Sequence, residues 1–214
     1  MKLKALLVAG AVCLASAVTS SAQTVYSANT VGFVNKEIPT GFSMIANPVI
    51  ATDNSIAALF ADASLGWKVF KFDSVQGTFS LFSYGFSGWG SNAQSTDLIP
   101  GEGAFVYNPG APTTITFSGE VTQGAASNIT IGQGFSILSS VVAQPGLLQT
   151  DLGFPASLGD KVFRFDSATQ SYVLHSVGFS GWNQEPDVEV AEAFFVFKAT
   201  ETAWDRNFDP NAAQ

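Results

Sequence analysis

The feature that most constrains this chain is that its sequence is written twice. The stretch GWKVFKFDS at 66–74 returns as GDKVFRFDS at 159–167, and GFSGW at 85–89 returns unchanged at 178–182. GFSMI at 41–45 matches GFSIL at 134–138, and ASLG at 63–66 recurs at 156–159, all at one offset of 93 residues. GAFVY at 103–107 then matches AFFVF at 193–197 at an offset of 90, which places a three-residue deletion in the preceding loop. A unit of about 90 residues is too long for a solenoid repeat, so the duplication specifies two small modules or two halves of one body.

Each unit reads as short strands divided by turns. Strands are expected at 42–47, 68–73, 78–84, 104–107 and 113–121, with Asn47-Pro48, Pro100-Gly101 and Asn108-Pro109-Gly110 as turn chemistry between them. Alternation puts Phe70 and Phe72 on one face of their strand, and Phe79 and Leu81 on one face of the next. These four, with their counterparts Phe163, Phe165, Tyr172 and Leu174, are expected to point into the core. The single helical pattern lies at 55–61, where Ile56, Leu59 and Phe60 share a face behind Asn54 as N-cap. A strand at 25–36 precedes unit one. Its counterpart near 120–128 predicts a strand that closes unit one and opens unit two. The expected fold is all-β: two tandem pseudo-repeats, 23–121 and 122–214, joined as one intimate structural unit. They would form a closed or sandwich-like β body with pseudo-twofold symmetry and one short helix in the first repeat.

Residues 1–22 read as a secretory signal peptide. Lys2 and Lys4 precede an apolar stretch at 6–18, and the small residues from Ser20 to Ala22 predict cleavage between Ala22 and Gln23, with a cut after Ala17 as the alternative. The stretch lacks the length and stop-transfer flank of a membrane anchor. Val12 occupies the place where a lipidation motif around Cys13 needs a small residue. Cleavage would remove Cys13, the only cysteine, so no disulfide is expected. The mature chain is expected to be secreted, periplasmic or extracellular at the cell surface, with no membrane span.

Composition narrows the partners. A net charge of -8 argues against nucleic acid and anionic membranes. Charged residues make up 12% of the chain, against about 25% in ordinary soluble domains. Hydrophobics at 46% and 19 phenylalanines can build a core, which excludes disorder.

VYSANTVGFVN at 25–35, GFSMIANP at 41–48 and GEGAFVYNP at 101–109 carry a resemblance across essentially the whole mature chain. The chain resembles a large set of uncharacterised secreted proteins of Verrucomicrobia-type bacteria. More loosely, the unit is similar to GWNLIGNP-type β-modules of secreted Bacteroidetes proteins. In unit two the Asn-Pro of that motif has become Ser140-Val141. The resemblance implies secretion and a β-fold, and it carries no activity.

Phe86, Trp89, Phe179 and Trp182 of the repeated GFSGW element are candidate aromatic platforms for sugar rings, one pair per unit. The plainer reading is a strand-end turn in which glycines allow positive φ and the aromatics cover the end of the body. Glu185, Asp187 and Glu189, with Glu192 nearby, alternate along one stretch and are candidate ligands for Ca²⁺; a solvated acidic edge strand is the plainer alternative. His175, the only histidine, aligns with Phe82 at a packing position on the outer side of a strand, so no Ser-His-Asp triad is expected. Gly85-Phe86-Ser87-Gly88 is one residue short of a nucleophile elbow, and Gly101-Glu102-Gly103 lacks the third glycine of a dinucleotide loop. Asn128-Ile129-Thr130 is a lone glycosylation sequon. No cofactor is expected. The leading expectation is a non-catalytic secreted or cell-surface β-protein with a structural or interaction role. Extracellular polysaccharide or other envelope proteins are its candidate partners. A carbohydrate-binding module using the GFSGW aromatics is the alternative, and a carboxylate-based glycoside hydrolase the second alternative.

Overall fold

The computed structural model describes residues 30–209. The signal segment and the Ala22–Gln23 cleavage position lie outside them. Unit one contains β1 (Val31–Ile38), β2 (Gly41–Ile45), α1 (Ile56–Leu59), β3 (Lys68–Asp73), β4 (Thr78–Gly85), β5 (Gly88–Trp89), α2 (Ser91–Gln94), β6 (Ala104–Asn108) and β7 (Thr113–Glu120). Unit two contains β8 (Ile129–Ile131), β9 (Gly134–Leu138), β10 (Gly146–Leu147), β11 (Lys161–Asp166), β12 (Ser171–Gly178), β13 (Gly181–Trp182), β14 (Asp187–Val188), β15 (Phe194–Lys198) and β16 (Thr202–Trp204).

The fold is all-β and sandwich-like. Unit one makes an antiparallel sheet in the order β2-β6-β3-β4-β5, and unit two repeats it as β9-β15-β11-β12-β13. Neither closes on itself, so the closed alternative does not form. Register repeats as well as order. Phe70 faces Leu81 and Phe72 faces Phe79, as Phe163 faces Leu174 and Phe165 faces Tyr172. A ribbon of β1 with β7 flanks the first sheet, and the shorter pair β8 with β16 flanks the second.

The hairpins follow from short polar turns. After β3, the Asp73 carboxylate accepts the Val75 and Gln76 N–H groups, and Gly77 completes the turn at a φ of 65°. After β11, Asp166 accepts from Ala168 and Thr169, and the left-handed place falls to Gln170 at a φ of 53°. Side-chain-to-backbone bonds of this kind fix a tight turn without help from the core.

Each sheet lays one face on its own core. In unit one Val69, Phe82 and Val106 bury against Phe60, Trp67 and Ile115. In unit two Val162 and Val196 bury against Phe154, Leu148 and Trp204. Each such side chain contributes about 1.5–3 kcal/mol when fully buried. The two units are stitched where β2 and β9 end. Ile45 bridges to Glu192, and Leu138 to Glu102, at equivalent positions of the duplication.

Four expectations need correction. The outward and inward faces of β3, β4, β11 and β12 are exchanged. Phe70, Phe72, Phe79 and Leu81, with Phe163, Phe165, Tyr172 and Leu174, lie on the face opposite the unit cores, and Phe79 is still 46% exposed. Alternation was the right signal for strands, but the face of Val69 with Lys71, and of Val162 with Arg164, is the inward one, while Phe72 and Phe165 on the more apolar face pack against the other unit. The strand expected near 120–128 is replaced by a 3₁₀ turn at Ala125–Ser127, entered through Gly124 at a φ of 55°. The N-cap of α1 is Ser55, whose hydroxyl accepts the Ala58 N–H, one residue after the expected Asn54. Unit one has a second short helix, α2, in the loop that unit two shortens by three residues.

Candidate functional site

The faces turned away from the unit cores meet each other. Phe105 of β6 and Phe195 of β15 approach to 6.2 Å between ring centroids, and they are equivalent residues of the two units. Around them the contacts occur in matched pairs. Phe72 meets Phe195 at 5.3 Å, and Phe165 meets Phe105 at 5.3 Å. Phe79 meets Phe195 at 6.1 Å, and Tyr172 meets Phe105 at 6.2 Å. Most of these are edge-to-face, a geometry worth about 0.5–1.5 kcal/mol per pair beyond area burial. Met44, Ile137 and Ala193 fill the buried floor between the sheets.

Beyond that floor the sheets diverge and leave two clefts. The larger, about 690 Å³, is walled by Phe72, Phe135, Phe163, Tyr172 and Phe195 and by the β3–β4 turn at 74–77. The smaller, about 460 Å³, is walled by Phe42, Phe70, Phe79, Phe105 and Phe165, by Gln170 of the β11–β12 turn, and by Tyr172 and Phe195, which it shares with the larger. The duplication maps the five rings of the larger cleft onto Phe165, Phe42, Phe70, Phe79 and Phe105 of the smaller. Among the described residues no charged side chain lines either cleft. Burial among these rings pushes the Tyr172 phenol above its ordinary value of 10.0.

The two clefts differ at their turns. The Gln170 side chain reaches the outer edge of β2, accepting the Phe42 N–H at 2.9 Å and donating to the Phe42 carbonyl at 2.9 Å. The matching position in unit one is Gly77, which has no side chain to offer β9.

The residues singled out in the sequence are placed as follows. Phe86 and Phe179 stand at the tips of the β4–β5 and β12–β13 hairpins, 96% and 98% exposed. Gly88 and Gly181 take the positive φ these tips require, 83° and 92°. Trp89 folds back into the unit-one core, 8% exposed, and donates its indole N–H to the Phe60 carbonyl. Trp182 is half-buried beside Phe154 and donates to the Gln149 side chain. Each Phe–Trp pair is therefore split between solvent and body.

The three acids do not converge. Glu185 accepts the Gln149 and Thr150 N–H groups and the Thr150 hydroxyl, while Glu189 pairs with Lys36 of β1 at 2.6 Å, which holds its carboxyl below the ordinary value. Asp187 stays exposed on β14. Among the described residues no cluster of three His, Cys, Asp or Glu side chains is grouped for a metal ion, so the Ca²⁺ site expected from alternation does not form. Alternation along a chain gives a shared face only where the strand is long enough, and β14 is two residues long.

His175 does occupy the place of Phe82, but on the inward face, correcting the outer-side expectation. It is buried, with Nδ1 at 2.8 Å from the Gln184 carbonyl and Nε2 without a hydrogen-bond partner among the described residues. It lines a polar cavity of about 770 Å³ with Ser43, Arg164 and Glu192. The Glu192 carboxylate grips Arg164 by two bonds of 2.7 and 2.8 Å and raises its pKa further. Lys71 and Glu102 form the equivalent pair in unit one at 2.8 Å, so this ion pair belongs to the scaffold.

Compared with protein-family models, with curated proteins and with solved structures, the chain matches none. Among the described residues no helix is long and apolar enough to cross a membrane. The cleft residues Phe42, Phe105, Phe135 and Phe195 were not among the sequence candidates. Their signal was present: four strands of each unit carry aromatics in one alternating phase, more than one small core can bury.

Proposed function

We propose that this chain is a non-catalytic secreted or cell-surface interaction protein that holds an apolar partner in its paired aromatic clefts. The observation that carries the reading is the set of rings left half-exposed between the two sheets, Phe79 and Tyr172 at 46% and 48% among them. A folded chain rarely leaves a contiguous apolar surface of this kind without a partner to cover it. The clefts are lined without charge, so they favour an uncharged or apolar ligand over an ionic one. Export through the segment at 1–22 belongs to the same reading.

Titration with Nile red, a neutral apolar dye, tests it. The purified protein should bind the dye saturably, and Phe79→Ser with Tyr172→Ser should weaken binding at least tenfold while the melting curve stays cooperative. Unsaturable binding, or binding unchanged in the double variant, would refute the assignment. The fully exposed Phe86 and Phe179 favour a second reading, in which these two rings alone serve as sugar platforms. Phe86→Ser with Phe179→Ser should then abolish retention on polysaccharide columns and leave dye binding intact.

A further inference from the structure

An in-chain amide already occupies one of two equivalent strand edges. Gln170 presents a C=O and an N–H to Phe42, the couple that a neighbouring strand would present, and so ends the β2 edge. Its turn is held in place by a further bond from the same amide to the Ser167 carbonyl at 2.6 Å. The phase along that edge is regular. Phe42 bonds outward to Gln170, and the Met44 carbonyl accepts from Ala193, so alternate residues point to the outer side.

The β9 edge runs in the same phase. Ser139 donates to the Gly101 carbonyl just as Ala46 donates to Ala191. Phe135, the counterpart of Phe42, therefore directs its N–H and C=O outward. Here the turn offers Gly77 in place of Gln170. Among the described residues, none fills at the β9 edge the space that the amide fills at the β2 edge. A methyl added at Gly41 would meet the Gln170 side-chain amide at 2.9–3.1 Å, while one added at the equivalent Gly134 meets nothing within 4 Å. The cleft beside the vacant edge is also the larger of the two.

We propose that the outer edge of β9 is the docking site for an extended, uncharged peptide segment of a partner protein. One of its residues pairs with the N–H and C=O of Phe135, and that residue's own apolar side chain, on the same face as Phe135, enters the cleft of Phe72, Phe163, Tyr172 and Phe195. This rests on the clefts being binding surfaces and names what the larger one takes. Three observations select a peptide. The group seated on the equivalent edge is itself an amide. The guest strand continues an antiparallel contact that Glu102 already makes with Leu138 at the far end of the same edge. Neither β9 nor the cleft lining carries a charge, so nothing there selects an ionic partner or guards the edge against a neutral strand. Strand addition of this kind takes affinity from main-chain bonds and specificity from alternate side chains.

The duplication supplies the test. A terminally blocked, fluorescein-labelled heptapeptide alternating threonine and valine is titrated against the purified protein by fluorescence anisotropy, with stoichiometry read at saturation. The protein should bind one peptide. Gly77→Gln places an amide where Gln170 stands in the other unit and should abolish binding, whereas Gly77→Ala, which adds a side chain without an amide, should bind as the parent does. Gln170→Gly should open the β2 edge and bring the stoichiometry to two. Melting curves and Nile red binding are measured on each variant. Dye binding that persists while Gly77→Gln loses the peptide supports the proposal. Dye binding with no peptide bound by the parent overturns the peptide assignment alone, and loss of both overturns the cleft reading. Parent-like peptide binding by Gly77→Gln overturns the assignment to β9. A dimer seen by sedimentation that Gly77→Gln dissolves would make a second copy of the chain the occupant and overturn it too.

Discussion

Lys198 and Asp160 form an ion pair with both side chains fully buried, and their counterparts in unit one are Asn108 and Trp67. The pair is therefore specific to unit two. Its two members are unequally supported. The Lys198 ammonium bonds to Asp160 and to the Pro155 carbonyl at 2.7 Å, and lies 5.1 Å from the centre of the Phe154 ring. Asp160 accepts, in addition, the Ser157 N–H at 2.8 Å and the Ala199 N–H at 3.0 Å. Removing one member of a buried pair costs about 3–5 kcal/mol, because the other charge stays behind without its partner. Asp160→Ala should fall at the upper end, since it strands the ammonium with one carbonyl and also frees two N–H groups. Lys198→Met should fall at the lower end, since the carboxylate keeps two donors. At roughly 2–4 °C per kcal/mol for a chain of this size, melting should drop by about 6–20 °C. Urea unfolding followed by tryptophan fluorescence gives the free energies, and the double variant gives the coupling. The double loss should be smaller than the sum of the singles by about 0.5–3 kcal/mol, as for residues in one network. Single losses below about 1 kcal/mol, or strict additivity, would refute the argument.

Trp89→Ala should cost about 3–5 kcal/mol from lost transfer energy and the cavity left behind, and half-buried Trp182→Ala clearly less; equal losses in urea unfolding would contradict the burial difference. Phe82→Ala should destabilise more than Phe79→Ala, since the first is inward and the second half-exposed, and the reverse order would restore the opposite face as the core. Phe86→Ser and Phe179→Ser should each leave stability within about ±0.5 kcal/mol, as at a surface site. Tyr172 should ionise above 10.0 in the folded protein, read as the difference in ultraviolet titration between the parent and Tyr172→Phe. Its folded pKa is raised, so its contribution to stability is complete below the unfolded value and is lost as pH rises through the folded one. A Tyr172 ionisation at or below 10.0 would show the cleft to be wet.

The duplication and the strand positions were legible because they are local. The turns at 73–77 and 166–170 each begin with an aspartate that caps its own hairpin, and the two GFSGW tips bend at glycines that need positive φ. Which face of a strand turns inward was not legible, because that is settled by what covers it. In β3 the candidates were Phe70 and Phe72 on one side and Val69 on the other, and the larger residues suggested the core. The inward side was decided instead by Phe60, Trp67 and Phe117, which arrive from α1, a loop and β7 and leave room for a valine. The acids at 185, 187 and 189 failed for the same reason. Their spacing described a strand, while Lys36 and the loop at 149–150 drew the outer two apart.

Duplication also explains why the clefts exist. A single unit has one apolar face covered by its own helix, loops and ribbon, and a second covered by nothing within the unit. Two copies related by a twofold operation bury the centres of those second faces against each other, at Phe105 and Phe195, and leave the margins open on both sides. Each copy also brings an unpaired strand edge to the margin, a standing risk of unwanted pairing. Symmetry makes the two edges equivalent in backbone, so any difference between them is made by side chains alone. Gln170 and Gly77 are that difference. One residue at the left-handed place of a hairpin turn satisfies its neighbour's edge, and its counterpart leaves the other edge able to pair.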